Sequence, residues 1–344
     1  MCNVERFGNN LAVRKLPLVL LVLGLVSALV LAACGGDDST KTPTAAASSS
    51  GNGSPAATAA KAAYPVTVTD FLGRSVEIKA KPVNVVALSP TAVEFVYAAG
   101  GTVVGRTTTV DFPPEAKAAK DVGNAYQPSM DIVLSLKPDL IVADSIVDSA
   151  PNVRKPLEES GIPVIFAGVD SYQKVLDGLT LMGKVFNAPD KTAALAANVT
   201  KARDDAKAAL AGKSVSALAI IADRDNTIYG AKENSYAGDI MKQLGITNPA
   251  AGQPDAGPFP GYTSLAPEKI VQYNPDFIFT LSAAPPPAPK LSTVLPSVPA
   301  FKTLKAVTTP KHLIEAPIEI LQAPGPRIID AFKAVTNAIN GQTS

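Results

Sequence analysis

Leu136-Lys137-Pro138-Asp139-Leu140-Ile141-Val142 returns later in the chain as Tyr273-Asn274-Pro275-Asp276-Phe277-Ile278-Phe279. Each copy reads as a helix end, a polar residue, Pro-Asp, and an apolar run that predicts a strand buried on both faces. A second echo runs in the same order. Glu94 stands six residues before Gly100 on one predicted helix, and Asp239 six residues before Gly245 on another. One echo would be ordinary α/β grammar; two in one order imply a duplicated plan.

Between the copies lies the longest helical signal, Ser171 to Leu210. Val175, Leu176, Leu179, Met182, Val185 and Phe186 recur at helical spacing. Asn187-Ala188-Pro189 interrupts the pattern, and proline suits the first turn of the helix that follows. That helix runs through Leu195 and Val199 toward Leu210, and Gly212 ends it.

The first half opens with a predicted hairpin, Tyr64–Thr69 and Ser75–Ile78. Strand and helix then alternate: Val83–Leu88, Thr91–Ala99, Thr102–Val104, Ser129–Leu136, Asp139–Ala143, Pro151–Ser160 and Pro163–Phe166. Arg106 to Tyr126 reads as a loop region. Such alternation predicts a largely parallel sheet with helices on both faces. The second half repeats the scheme with strands Ser214–Ala222, Thr227–Gly230, Asp276–Thr280 and His312–Glu315. Its predicted helices are Ser235–Leu244, Leu265–Tyr273 and Pro326–Ile339. The fold class is therefore α/β: two Rossmann-like lobes, 64–170 and 188–344, joined by a single long interlobe helix at 171–187.

The chain has 344 residues, 47% of them hydrophobic, enough for two domains with a sizeable core. Three of its 31 basic and one of its 30 acidic residues lie in the first 33, so the remainder carries a net charge of −1. A nucleic-acid binder would show a basic excess. There is no Trp and one His. The two cysteines, Cys2 and Cys34, both precede the folded part, which therefore has no disulfide and no thiolate metal site.

Arg14-Lys15 precede an almost wholly apolar run from Leu16 to Leu31, and Leu31-Ala32-Ala33-Cys34 closes it. A basic start, an apolar run and small residues read as a secretory signal over 1–33. The cysteine after small residues resembles a bacterial lipobox, which implies cleavage before Cys34 and a lipid on its thiol. Residues 34–63 are rich in Gly, Ser, Thr, Ala and Pro and predict a disordered tether, with an end-to-end distance of about 30 Å. The body is expected outside the cytoplasmic membrane and anchored to it.

The passages Val85 to Glu94, Asp111-Phe112-Pro113-Pro114, Leu136 to Val142 and Gly325-Pro326-Arg327 resemble the substrate-binding proteins of ABC importers for ferric siderophores and cobalamin. The resemblance covers about Val66 to Ile339. It implies the class III periplasmic binding protein fold, with small lobe motions about the rigid helix. It implies capture of a ferric siderophore or similar bulky metal chelate, and delivery to an ABC permease with its ATPase. It also implies one exposed carboxylate per lobe docking onto permease arginines. Glu94 matches the first position, and Asp239 matches the second through the internal echo, with Lys242 as another alignment of the wrong charge.

Ligands of such sheets sit at the carboxyl ends of the strands, here expected to face each other across a cleft. That rule selects Ser89, Arg106, Tyr126 and Ser145 from the first lobe, and Arg224, Tyr229, Phe259, Tyr262 and Arg327 from the second. Arginine can pair with the oxygen-rich surface of a chelate, and tyrosine offers a flat apolar ring with a polar tip. Each has an ordinary role as core, surface or helix cap, so the set carries more weight than its members. The loop Pro317 to Gln322 lacks the aromatic that cobalamin binders often place there. His312, the only His, opens a strand and is read as non-ligating, so a haem binder would need a Tyr. Cobalamin, haem and a ligand-sensing role stay as alternatives. A hydrolase is the rival of another class, but no Gly-x-Ser-x-Gly elbow occurs. The expected protein is a monomer without catalytic residues, resident cofactor or bare metal ion.

Overall fold

The computed structural model describes residues 63–223, 225–282, 287–316 and 324–341. Cys34, the apolar leader, the tether and Arg224 lie outside the described residues. The described residues fall in one compact unit.

The chain enters through a hairpin, β1 (Val66–Thr69) and β2 (Ser75–Ile78), in register from Val66 opposite Ile78 to Thr69 opposite Ser75. Asp70 closes its turn, because Oδ1 accepts from the backbone N–H groups of Leu72 and Arg74. The first sheet follows: β3 (Val85–Ala87), α1 (Pro90–Ala98), β4 (Val103–Arg106) and β5 (Lys120–Asp121). A short hairpin, β6 (Gly123–Asn124) with β7 (Gln127–Pro128), leads to α2 (Met130–Ser135) and β8 (Leu140–Ala143). Then come α3 (Ser145–Asp148), α4 (Pro151–Glu159) and β9 (Val164–Phe166). The strand order is β5-β4-β3-β8-β9, all parallel, as the alternation of strand and helix predicts.

Next are α5 (Tyr172–Val185) and α6 (Pro189–Ala209). Over its 14 residues α5 spans about 21 Å. The second sheet contains β10 (Ala217–Ala222), β11 (Ile228–Ala231), α7 (Tyr236–Gln243), β12 (Tyr262–Ser264), α8 (Pro267–Tyr273) and β13 (Phe277–Leu281). α9 (Leu291–Val294), α10 (Lys305–Thr308), β14 (Leu313–Glu315) and α11 (Ile328–Ile339) complete it. Its order is β12-β11-β10-β13-β14. β10, β13 and β14 run parallel, whereas β11 is antiparallel to both its neighbours. The link from Asp223 to Thr227 is too short for a parallel crossover, so β11 must fold back.

The repeated Pro-Asp passage has the same physical job in both sheets. Lys137 and Asn274 sit at helix ends with φ of 48° and 41°, which turns the chain before the proline. The following Asp then ties the entering edge of its sheet. Asp139 accepts from the N–H of Asn84, just before β3. Asp276 accepts from the N–H of Ser216, just before β10. In each sheet the repeat registers a helix-fed strand against the central one.

Apolar packing forms three layers. One covers the outer face of the first sheet, around Leu88, Ile141 and Leu157. Another covers the outer face of the second, around Leu218, Ile278 and Phe301. The largest runs without a break through both halves, from Val85 and Phe95 through Leu179 and Met182 to Ile240 and Phe332. α5 therefore acts as a packed seam, with Gly178 admitting the Phe95 ring of α1.

Candidate ligand-binding site

The carboxyl ends of the parallel strands, here the exit edges, hold most of the polar side chains singled out by the sequence. At β3, Ser89 is fully buried and accepts from the N–H of Ala92 at 3.0 Å. It is the N-cap of α1, so its selection as a ligand contact is corrected: the serine that opens a helix after a buried strand is consumed by capping. Beside it, at the end of β8, Asp144 caps α3 by accepting from Ile146 N–H at 3.0 Å. Burial pushes the Asp144 carboxyl up, partly offset by hydrogen bonds from Ser89 and the backbone. Ser145 is exposed on a small cavity of about 130 Å³, shared with Phe166 and Asp170. That volume is below the several hundred Å³, roughly, of a typical ligand pocket.

Arg106 ends β4. Its Nη1 donates to the Thr107 carbonyl at 3.0 Å and lies 3.5 Å from Asp121 at the end of β5. The carboxyl of Asp121 is held below its usual range, chiefly by the N–H of Gly123. Tyr126 sits on the β6–β7 turn, where Asn124 Oδ1 accepts from its N–H, and its ring is 67% exposed. Arg106, Tyr126 and Ser145 thus lie together along one exit edge.

In the second sheet the aromatic candidates divide. The Tyr229 ring is buried, but its hydroxyl donates to Asp223, at the exit end of β10, at 2.9 Å. Phe259 packs edge-on to Tyr229 at 5.2 Å and to Tyr262 at 6.3 Å. Tyr262 opens β12 opposite Ala231, at the end away from Asp223, and is buried. Phe259 is half-buried directly against Tyr229, and Tyr262 lies one ring further from Asp223. The Asn248–Gly261 loop leads into β12 and packs Gly257 and Phe259 against the Tyr229 ring. Glu315, at the exit end of β14, accepts from Thr280 Oγ1 at 2.6 Å, Ser282 N–H at 3.1 Å and Ser292 N–H at 3.2 Å. Burial raises its carboxyl, but these hydrogen bonds outweigh it and hold the group below its usual range.

The two halves meet through side chains that follow their exit edges. Arg327, at the N-cap of α11, lays its guanidinium 4.5 Å from the centre of the Phe112 ring in the loop after β4. Its Nε and Nη2 both reach Glu94 Oε1 at 2.7 Å. Glu94 is 3% exposed, and burial raises its carboxyl while Arg327 pulls it back. Among the described residues Glu94 Oε2 and the nearby Tyr236 hydroxyl are buried without a hydrogen bond. Asp239 is 8% exposed. Its Oδ2 accepts from Tyr172 N–H, the first of α5, at 2.6 Å, and its Oδ1 from Gln243 at 3.1 Å. Docking to a permease needs exposed carboxylates, so the assignment of Glu94 and Asp239 to that role is corrected: both are turned inward, one as an ion pair between halves, the other as a cap on the connecting helix.

Sequence reasoning missed Asp144, Asp223 and Glu315. The signal was present, since each carboxylate stands at the end of a parallel strand. His312 lies at the opposite, entering edge of β14. Its Nδ1 is 2.7 Å from the Asp276 carbonyl and its ring stacks on Phe277 at 3.9 Å. Among the described residues no group of three His, Cys, Asp or Glu is placed to hold a metal ion, and no helix is long and apolar enough to cross a membrane.

Two α/β sheets fastened by a packed connecting helix, with polar side chains gathered at their exit edges and the histidine at the other end, define a solute-binding protein. The chain belongs to the periplasmic binding protein family, whose model matches residues 85–317. It is similar over 326 residues, at 26% identity, to an uncharacterized ABC transporter substrate-binding lipoprotein, YvrC, of Bacillus subtilis, covering 93% of this chain and 96% of that one. It is 27% identical over 159 residues to the ferric-citrate-binding protein YfmC of the same organism, a match covering 46% of this chain and 48% of that one. In fold it is similar to the petrobactin-binding protein YclQ of Bacillus subtilis, with a TM-score of 0.70 at 22% identity, covering 80% of this chain and 98% of that one. The family consists of binding proteins and not enzymes.

Proposed function

We propose that this chain captures a ferric siderophore or a similar bulky metal chelate outside the cytoplasmic membrane and hands it to an ABC permease with its ATPase. The observation that carries the reading is the contact of Arg327 with Phe112, which brings loops following the exit edges of the two sheets together. A ligand held between lobes 64–170 and 188–344 would lie where these edges converge. Arg106, Tyr126 and Ser145 supply contacts from the first lobe, and Arg327 and the Tyr229–Asp223 pair from the second. No bond in the ligand is made or broken. A lipid on Cys34 and the 34–63 tether keep a monomeric body beside its permease. Continuity of the core through α5 favours small lobe adjustments over wide opening.

Uptake of radiolabelled ferric chelates by cells with and without the chain tests this. Loss of uptake on deletion, restored by the full chain and reduced by Cys34→Ala, is the expected result. Unchanged uptake of every chelate on deletion would contradict it.

A further inference from the structure

Charge is sorted between the two ends of both sheets. The entering edges carry exposed Lys81, Lys137, Lys213 and Lys311, ahead of β3, β8, β10 and β14. The carboxylates at those edges are Asp139 and Asp276, the latter 3.5 Å from Lys305, so lysines outnumber them. The exit edges are the reverse. They carry Asp121, Asp144, Asp170, Asp223 and Glu315 against Arg106, Lys174 and the exposed Lys290, which opens the helix whose N–H groups bind Ser282 and Glu315.

Some of that negative charge is matched. Arg106 faces Asp121 at 3.5 Å, and Lys174 holds Asp170 at 2.9 Å. Asp144, Asp223 and Glu315 have no cation within ion-pair distance among the described residues. Arg327, the remaining guanidinium at the junction, is already bound to Glu94. The segments outside the described residues next to these edges contribute one Arg and one Glu by sequence, Arg224 and Glu319, which cancel. Asp223 and Glu315 are also kept ionised. Both carboxyls lie below their usual range because, against burial, they accept hydrogen bonds from Thr227 and Tyr229 in one case and from Ser282 and Thr280 in the other. Hydroxyls and amides fix these charges without neutralising them.

A region lined by one sign of charge raises the local concentration of the opposite sign and repels its own. Resting on the capture reading above, we propose that the site takes chelates of zero or positive net charge and rejects polyanionic ones. Ferric trihydroxamates meet that condition. Their three singly charged ligand groups cancel the ferric charge, and a free amine adds a positive one. Ferric tricatecholates and ferric citrate complexes are anions and do not. Asp223 is the selecting residue best placed to act, since its carboxylate stands at the exit end of β10 and is anchored by Tyr229.

The test measures affinity of the full-length chain, in a neutral detergent, for ferrioxamine B (a cationic trihydroxamate), ferrichrome (a neutral one), ferric enterobactin (a trianionic tricatecholate) and ferric citrate. Quenching of tyrosine fluorescence gives the readout, since the chain has eight Tyr and no Trp. Binding of a trihydroxamate at least about tenfold tighter than either anion is expected, and the gap should shrink as salt rises. Asp223→Asn should narrow it further, and Glu315→Gln should act in the same direction. Tighter binding of enterobactin or citrate would overturn the charge assignment and leave chelate capture standing. Binding of none of the four chelates would overturn the capture of iron chelates, and this inference with it.

Discussion

Glu94 and Arg327, 233 residues apart, form an ion pair in which two guanidinium nitrogens reach one carboxylate oxygen at 2.7 Å. The Glu94 side chain is 2% exposed and that of Arg327 20%. Removing one partner strands a buried charge, at a cost of about 3 kcal/mol or more, whereas replacing both with apolar residues is often close to neutral. Arg327→Met is therefore expected to lower the urea midpoint sharply, and Glu94→Leu in the same chain to recover most of the loss. A double-mutant cycle on unfolding free energy checks this; additive losses would remove the pair from the account.

Asp239 fastens the connecting helix. Asp239→Ala frees the first N–H of α5 and the Gln243 amide, and is expected to cost about 1–2 kcal/mol. Asp239→Asn keeps an acceptor and should cost less. Amide exchange at Tyr172 is the local readout: faster exchange in the alanine variant, and near-native exchange in the asparagine variant.

Stability should respond to acid in two opposed ways. The folded Glu315 carboxyl lies below its ordinary 4.5, so its contribution is present above that value and is lost as pH falls through the folded pKa. Asp144 lies above its ordinary 3.8 because of burial, so the folded state binds the proton more tightly, and its contribution falls as pH rises through the folded pKa. Unfolding curves from pH 3 to pH 7 should show Glu315→Gln losing most stability at the neutral end, with its difference from the parent closing in acid. Asp144→Asn should show the opposite trend, gaining relative to the parent toward the neutral end.

The seam between α1 and α5 leaves no room for a methyl group at Gly178. An added Cβ there would lie 2.6 Å from the Phe95 ring. Gly178→Ala is expected to cost about 1–3 kcal/mol through overpacking, read as a lower thermal midpoint, and Phe95→Leu in the same chain should relieve part of it.

Much of the fold could be read in the sequence because its elements are locally determined. The all-parallel first sheet follows from strand–helix alternation, and α5 and α6 from apolar period and Pro189. The duplicated Pro-Asp passage has a single physical role in both copies, which is why it stood out. The site was less legible. Ser89, Glu94 and Asp239 are polar residues on helices after strands, and sequence shows the spacing without showing which way each side chain faces. The direction of β11 was not legible, because it depends on a short link whose consequence for β12 is tertiary. The strand-ending carboxylates Asp144, Asp223 and Glu315 were written plainly, yet arginine and tyrosine drew attention as chelate partners. The exit edges turned out to carry an acidic excess.

Direct capture is the central claim. The full-length chain in neutral detergent would be mixed separately with ferric hydroxamate, ferric catecholate, haem and cobalamin, passed through an ultrafilter, and the visible spectrum of the retained fraction recorded. Retention of an iron chelate's colour, with its spectrum unchanged because no chemistry is done, is the predicted result. A filter that passes every coloured compound at micromolar protein would contradict the account.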